Sequence, residues 1–218
     1  MSDAQGSLFA GTAQPELPSG MRYESEFLSR EEEASLVAII ERLPLANMKY
    51  QQYTARRRVV SYGGQYDYSA QRLDEAEPLP GWLDALRERA GAWAGIAPER
   101  FTHALVAEYA PGTPLGWHRD VPDFEDVVGV SLLNDAVLRF RPYPPETGTR
   151  ADVRKLVAAP RSIYLLHGPA RWEWQHAVSP TKQLRYSITL RTPSARIRNA
   201  GRRASGDRSR GSPRPAPS

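Results

Sequence analysis

Phe101-Thr102-His103-Ala104-Leu105-Val106-Ala107-Glu108-Tyr109 is the stretch at which the apolar period of this chain changes from helical to two. Successive side chains of a strand point to opposite faces, so this run reads as a strand. Six further runs of the same kind lie at 127–133, 136–142, 153–158, 161–166, 172–178 and 184–191. Pro111-Gly112, Asn134-Asp135, Pro144-Pro145, His167-Gly168-Pro169 and Ser179-Pro180 punctuate them as turns. Seven or eight short strands at this spacing predict a sandwich or jelly roll.

Upstream the period is 3.6. Ser29 and Glu32 form a capping box, Leu36, Ile40 and Leu43 repeat at helical spacing, and Pro44 closes the helix. A second helix is expected over 81–94, with Trp82, Leu86, Ala90 and Trp93 on one face and Gly95 as its stop. Residues 1–20, rich in Gly, Ser, Pro and Gln, are expected to be disordered, as is the Arg/Ser/Gly/Pro tail 194–218. One folded domain over 21–193 remains, with its β-rich core at about 101–193.

The chain has 218 residues, no cysteine and a formal charge of +4. Disulfides and thiolate metal sites are excluded, so any metal must be held by His, Asp or Glu. Residues 194–218 carry seven arginines against Asp207 alone, a net of +6, which leaves the rest of the +4 chain at −2. Such a tail suits contact with nucleic acid, or it is a solvated segment that aids solubility. No run of 18 apolar residues occurs, so no membrane partner is expected. The first 25 residues lack the basic start and apolar stretch of a secretory signal, so a cytoplasmic location is expected. A monomer is expected as well.

The first chemical anchor is His118-Arg119-Asp120. Ligands at i and i+2 of an extended segment project to one side and can share an ion. A third must come from elsewhere: His176, in the run Trp172-Glu173-Trp174-Gln175-His176, is preferred over His167, which sits in a turn. Two His and one carboxylate that leave coordination positions open are the arrangement of non-haem iron oxygenases. Arg185-Tyr186-Ser187-Ile188-Thr189-Leu190-Arg191 adds a second signal. Arg185, Ser187, Thr189 and Arg191 share one face of that strand, with the two arginines about 20 Å apart. Inside a barrel these arginines need anions, and they could span a five-carbon diacid or meet a metal-bound carboxylate. The alternative is an edge strand with solvated arginines. His103 reads as a core or surface histidine, and Trp117, Trp172 and Trp174 as packing groups.

Glu108-Tyr109-Ala110-Pro111-Gly112-Thr113-Pro114-Leu115-Gly116-Trp117-His118-Arg119-Asp120, with His176 and the closing Arg185–Arg191 run, resembles the AlkB family of iron(II)/2-oxoglutarate-dependent dioxygenases. The resemblance covers residues 20 to 193, most specifically 107–120 and 161–191. It implies an α+β fold: a double-stranded β-helix (jelly-roll) core with N-terminal helices packed on one sheet and a nucleotide-recognition lid near 46–70. It implies that His118, Asp120 and His176 bind Fe(II), and that Arg185, Tyr109 and Ser187 hold the distal carboxylate of 2-oxoglutarate. Arg191 would contact the metal-proximal carboxylate or brace Asp120. Dioxygen would be the second cosubstrate. The implied reaction couples decarboxylation of 2-oxoglutarate to succinate with hydroxylation of a C–H bond. On an N-alkyl carbon, the product collapses to formaldehyde and the free amine.

Two departures bear on substrate. Repair members carry an asparagine two residues before the strand tyrosine, where this chain has Ala107, and an acid just past the iron aspartate, where it has Val121 and Pro122. Asp123, Glu125 and Asp126 follow, and Asp123 is the nearest candidate for reading a base. Arg56, Arg57 and Arg58 with Tyr62, Tyr66 and Tyr68 fall in the lid and suit phosphates and a flipped base; the alternative is an aromatic loop packed on the core. The expected function is oxidative demethylation of N-alkylated bases in DNA or RNA, that is, alkylation repair. The alternatives are an AlkB-like hydroxylase or demethylase of a protein or small metabolite, and a non-catalytic jelly-roll module that binds nucleic acid through its tail.

Overall fold

The computed structural model describes residues 16–50, 53–63, 65–67, 72–74 and 78–194. Strand β1 (Met21–Glu24) precedes helix α1 (Arg30–Ile40). Strands β2 (Ala46–Tyr50) and β3 (Tyr53–Tyr62) pair, as do β4 (Gln65–Asp67) and β5 (Arg72–Asp74). Helix α2 (Asp84–Ala94) leads into β6 (His103–Tyr109), β7 (Leu115–His118), β8 (Phe124–Leu132) and β9 (Ala136–Pro142). Strands β10 (Arg154–Ala158) and β11 (Ile163–Leu166), the four-residue helix α3 (Pro169–Trp172), β12 (Trp174–Val178) and β13 (Arg185–Pro193) complete the fold.

The strands form a seven-stranded sheet, in the order β1-β11-β8-β13-β6-β3-β2, and a four-stranded sheet, β10-β9-β12-β7. Every pairing in both is antiparallel. This is the expected jelly roll.

Helix α1 begins where local chemistry dictates. The Ser29 side chain accepts from the Glu32 N–H at 3.1 Å, and the Glu32 carboxylate accepts from the Ser29 N–H at 2.7 Å. Glu31, Glu32 and Glu33 complement the positive end of the helix dipole. Helix α2 stops at Gly95, whose φ of +74° suits a residue without a Cβ. Leu36 and Ile40 of α1 and Leu86 and Ala90 of α2 are buried with Val106, Val128, Val130, Ile188 and Leu190 of the large sheet. Each fully buried aliphatic chain of this set contributes about 1.5–3 kcal/mol. The opposite face of that sheet meets the small sheet through Tyr109, Val127, Leu138, Phe140, Leu156 and Val178. Alternation along β6, β8 and β13 therefore feeds two cores, and a cavity opens in the second.

Several boundaries differ from the sequence reading. Pro169 opens a helical turn, so the strand expected at 172–178 begins at Trp174. Strands β1 and β7 carry too few residues to show a period. Residues 16–20, expected to be disordered, are anchored: the Met21, His167 and Ala170 N–H groups donate to the Pro18, Gly20 and Ser19 carbonyls. Ser194, assigned to the tail, is buried, and its N–H donates to the Asp123 carbonyl at 2.8 Å. The expectation for 1–15 and the rest of the tail lies outside the described residues. The described part of the segment expected to form a lid is largely sheet, because β3 pairs with β6. No helix among the described residues is long and apolar enough to cross a membrane.

Gly129 of β8 stands opposite Tyr164 of β11. A Cβ there would lie 2.1 Å from the Tyr164 ring. Gly129→Ala should destabilise the domain by about 1–3 kcal/mol through overpacking, read by denaturant unfolding. A midpoint equal to that of the unsubstituted protein would mean that the ring moves without cost.

Candidate metal centre and anion slot

His118 ends β7 and His176 sits within β12, paired directly across the small sheet with both rings turned inward. Their centroids are 4.2 Å apart. Asp120, two residues beyond His118, places Oδ2 3.5 Å from His176 Nε2. One donor atom from each of the three lies within 4.8 Å of the others. His167, the rival to His176, is exposed and pairs instead with Asp126, Nδ1 to Oδ1 at 2.6 Å. His103 is a core residue, with its ring 4.6 Å from that of Phe124.

The surroundings leave His118 and Asp120 one donor each for a cation. His118 Nδ1 donates to the Gly116 carbonyl at 2.9 Å, so Nε2 carries the lone pair. Arg191 donates to Asp120 Oδ1 from Nε at 2.8 Å and from Nη2 at 2.7 Å, which leaves Oδ2 for the cation. Burial pushes the His176 imidazole down to about 3, helped by His118 and opposed by Asp120. Burial likewise lowers His118, against the pull of Asp120 and the Gly116 carbonyl. Burial alone would raise Asp120, but its cationic surroundings, Arg191 first, outweigh it and hold the carboxyl well below the usual range. Two neutral imidazoles and one carboxylate result, the donor set of a 2-His-1-carboxylate iron site.

Arg171 holds the backbone behind this cluster, a role that nothing in the sequence signals. It is buried, and its Nη2 donates to the carbonyls of Asp120, Val121 and Phe124 at 3.1, 2.7 and 2.9 Å. The loop that presents Asp120 is therefore tied to α3.

A slot lined with cations adjoins the cluster. Arg185 is 1 % exposed; its Nε donates to Ser131 Oγ at 2.9 Å and its guanidinium lies 5.0 Å from the Tyr109 ring. Among the described residues no carboxylate pairs with it. Arg57 reaches the same end, with Nη1 3.5 Å from the Tyr109 hydroxyl. Burial would raise the Tyr109 phenol, yet Arg57 and Arg185 together lower it, which makes it a strong donor to an anion. Ser187 and Thr189 line the slot as well.

The remaining candidates separate by face. Arg58 and Tyr62 alternate to the helix side of the large sheet. Arg58 is tied there to Glu108, Nε–Oε1 and Nη2–Oε2 both at 2.7 Å, and Tyr62 is buried edge-on against Trp82. Neither faces the slot, contrary to the substrate contacts expected of them. Arg56 is exposed, and Asp123 does not line the cavity. The side chain of Tyr66, and Tyr68 altogether, lie outside the described residues. Arg185 and Arg191 do not span one diacid, because Arg191 is committed to Asp120. Trp174 packs on the inner core, and Trp172 donates its Nε1–H to Glu125 at 3.4 Å.

This fold and donor set define a class, the iron(II)- and 2-oxoglutarate-dependent dioxygenases. The model of the 2OG-Fe(II) oxygenase superfamily matches residues 20–202, and the chain belongs to that superfamily, in its AlkB-like branch. Its cofactor is Fe(II), and 2-oxoglutarate and dioxygen are its cosubstrates. The chain is similar to tRNA (carboxymethyluridine(34)-5-O)-methyltransferase alkbh8 of Xenopus tropicalis, 27% identical over 77% of this chain and 26% of that protein. It thus spans about a quarter of that relative's length. It is also similar to human alpha-ketoglutarate-dependent dioxygenase alkB homolog 4, 27% identical over 89% of this chain and 73% of that protein. The solved structure of OsALKBH1 superposes with a TM-score of 0.62 at 14% identity, over 79% of this chain and 98% of that one.

Arg191→Met should leave the circular dichroism spectrum unchanged but weaken Fe(II) or Mn(II) binding by about 10- to 100-fold, the scale of losses when a ligand's orienting partner is removed. Undiminished metal affinity would show that Asp120 needs no brace.

Proposed function

We propose that His118, Asp120 and His176 hold the iron, that Arg185, Tyr109, Ser187 and Arg57 hold 2-oxoglutarate, and that the prime substrate is an N-alkylated base in DNA or RNA. The observation that carries the catalytic part is the three-donor cluster beside a buried guanidinium that has no carboxylate partner among the described residues. A buried cation of that kind is costly unless an anion meets it, and the distal carboxylate of a keto diacid would meet it. Iron supplies the redox and dioxygen chemistry that side chains lack, coupling decarboxylation of the keto acid to C–H hydroxylation.

The chain's own residues orient and insulate. The neutral imidazoles and the ionised Asp120 bind without losing a proton at neutral pH. Arg191 keeps Oδ1 occupied, so Asp120 offers one oxygen. Arg185 neutralises the far carboxylate, Tyr109 donates to it, and Val127, Leu138 and Val178 exclude water from the slot. Arg57 moves in this reading from substrate to cosubstrate, because it reaches the Tyr109 hydroxyl rather than the surface. It stands on the inner face of β3 and supplies a contact beside Ala107, where repair members carry asparagine. A methyl group hydroxylated beside nitrogen then leaves as formaldehyde.

Support for a nucleic-acid substrate comes from relatives. The X. tropicalis protein is named for tRNA, and an Arabidopsis thaliana relative, 30% identical over 57% of this chain, is named an alkylated DNA repair protein. Hydroxylation of a protein or metabolite is the second reading, favoured by Val121-Pro122 and by Asp123 standing outside the cavity lining.

His118→Ala should abolish succinate formation; unchanged 2-oxoglutarate turnover would remove the metal assignment. Arg185→Met should weaken 2-oxoglutarate binding to the metal-loaded protein about 10- to 100-fold by calorimetry, the scale of a charged hydrogen bond of about 1.5–3 kcal/mol. Arg57→Met should do the same to a smaller degree. Both penalties should vanish with a 2-oxo acid that lacks the distal carboxylate, and a penalty that persists would place these arginines elsewhere. Formaldehyde should be released from N-methylated oligonucleotides and not from methylated peptides, and the opposite pattern would replace the substrate class.

A further inference from the structure

The outer face of the small sheet carries a cationic, aromatic surface that the reaction does not use. Its four strands read Leu-Gly-Trp-His, Ala-Val-Leu-Arg-Phe-Arg-Pro, Arg-Lys-Leu-Val-Ala and Trp-Gln-His-Ala-Val, and none carries an acid. Leu138, Phe140 and His176 face inward, so alternation turns Arg139, Arg141, Gln175 and Trp117 outward. Lys155 stands opposite Arg139 in register and is exposed.

These groups are pre-arranged rather than scattered. The Arg139 and Arg141 guanidinium carbons lie 5.0 and 4.6 Å from the centroid of the Trp117 ring. Strand β12 separates Arg139 from Trp117, and the residue paired with Arg139 there is Ala177, small enough to let them meet over it. Arg141 Nε donates to Gln175 Oε1 at 2.7 Å. Beside this group, Arg119 lies 3.6 Å over the ring of Tyr143, which is 39% exposed. Stacked guanidiniums keep their in-plane donors while losing side-chain freedom, which suits phosphate oxygens. The nearby acids Glu146, Asp152 and Glu173 lie beyond the strand ends; Asp152 is spent on capping Thr149, and the exposed Glu173, just before β12, accepts the Tyr143 N–H through its carbonyl.

We propose that this face, formed by Arg119, Arg139, Arg141 and Lys155 around Trp117 and Tyr143, binds the phosphate backbone of a single-stranded nucleic acid. Positive charge, no acid on the strands and interleaved aromatics are the pattern of a sequence-tolerant backbone tract. The face lies directly behind His118 and His176 on the same strands. It therefore anchors nucleic acid flanking the target and leaves the target nucleotide to the mouth of the cavity. The proposal rests on the nucleic-acid reading of the substrate and adds a second contact region to it.

The test is titration of the full-length, metal-loaded protein with short fluorescein-labelled unmethylated single-stranded DNA and RNA at several salt concentrations. Replacing Arg139, Arg141 and Lys155 together by Gln should weaken binding at least about tenfold. It should also lower the magnitude of the log–log salt slope by about 2, from roughly 0.7 per phosphate contact. Iron and 2-oxoglutarate affinities should be unchanged in that variant. Lys155→Glu alone, at an exposed position that cannot unfold the sheet, should weaken binding several-fold. A wild-type slope in both variants overturns the proposal. So does loss of all binding on deleting 195–218, which would assign it to the tail, or equal affinity for a poly-glutamate peptide at the same salt. Because the probe carries no alkyl group, the surface stands or falls separately from demethylation. Formaldehyde release with unchanged variant slopes would sink the surface alone, and binding without formaldehyde release would sink the reaction alone.

Discussion

A guanidinium taken out of water must be met by something. Between the two sheets lie Arg185 and Arg191, with Arg171 just behind, and only Asp120 among the described residues answers them as a carboxylate. Each is met differently. Arg191 takes Asp120 Oδ1, and Arg171 takes three backbone carbonyls. Among the described residues Arg185 meets no carboxylate: Ser131 and the Tyr109 ring flank it, and Arg57 adds a second guanidinium at the same end. That imbalance requires an anionic ligand, and the position of Asp120 between Arg191 and two neutral imidazoles gives a cation a place beside it.

This balance depends on the jelly roll's alternation. Strand β13 is flanked on both edges, by β8 and β6, so its side chains have only two directions available. Tyr186, Ile188 and Leu190 go to the helices, and Arg185, Ser187, Thr189 and Arg191 to the cavity. A register slip of one residue would bury both arginines under α1 and α2 and fill the cavity with aliphatics. The helical layer therefore secures the site indirectly, by making the opposite register costly.

The long periodic segments and the His118-Arg119-Asp120 and Arg185–Arg191 runs were legible because each carries its signal locally: a period, a cap, or ligands two residues apart. Less legible was anything set by pairing. Arg56, Arg57 and Arg58 look equivalent in sequence, yet Arg57 reaches the Tyr109 hydroxyl while Arg58 is bound to Glu108 on the far side, because β3 joined the large sheet. Tyr62 went to the helical core for the same reason. Leu17 and Pro18 fall in the segment expected to be disordered and are instead packed at the edge of the fold.

By itself, then, the sequence determined the donor chemistry, two imidazoles and a carboxylate with no thiol available, and the face that each strand residue shares with its neighbours, because covalent geometry decides those. Tertiary structure decided which histidine, His176 or His167, stands opposite His118, which oxygen of Asp120 stays open, and that Arg171 and Arg57 join the site. Those outcomes depend on contacts between residues tens of positions apart, and such contacts exist only once the sheets have closed on one another.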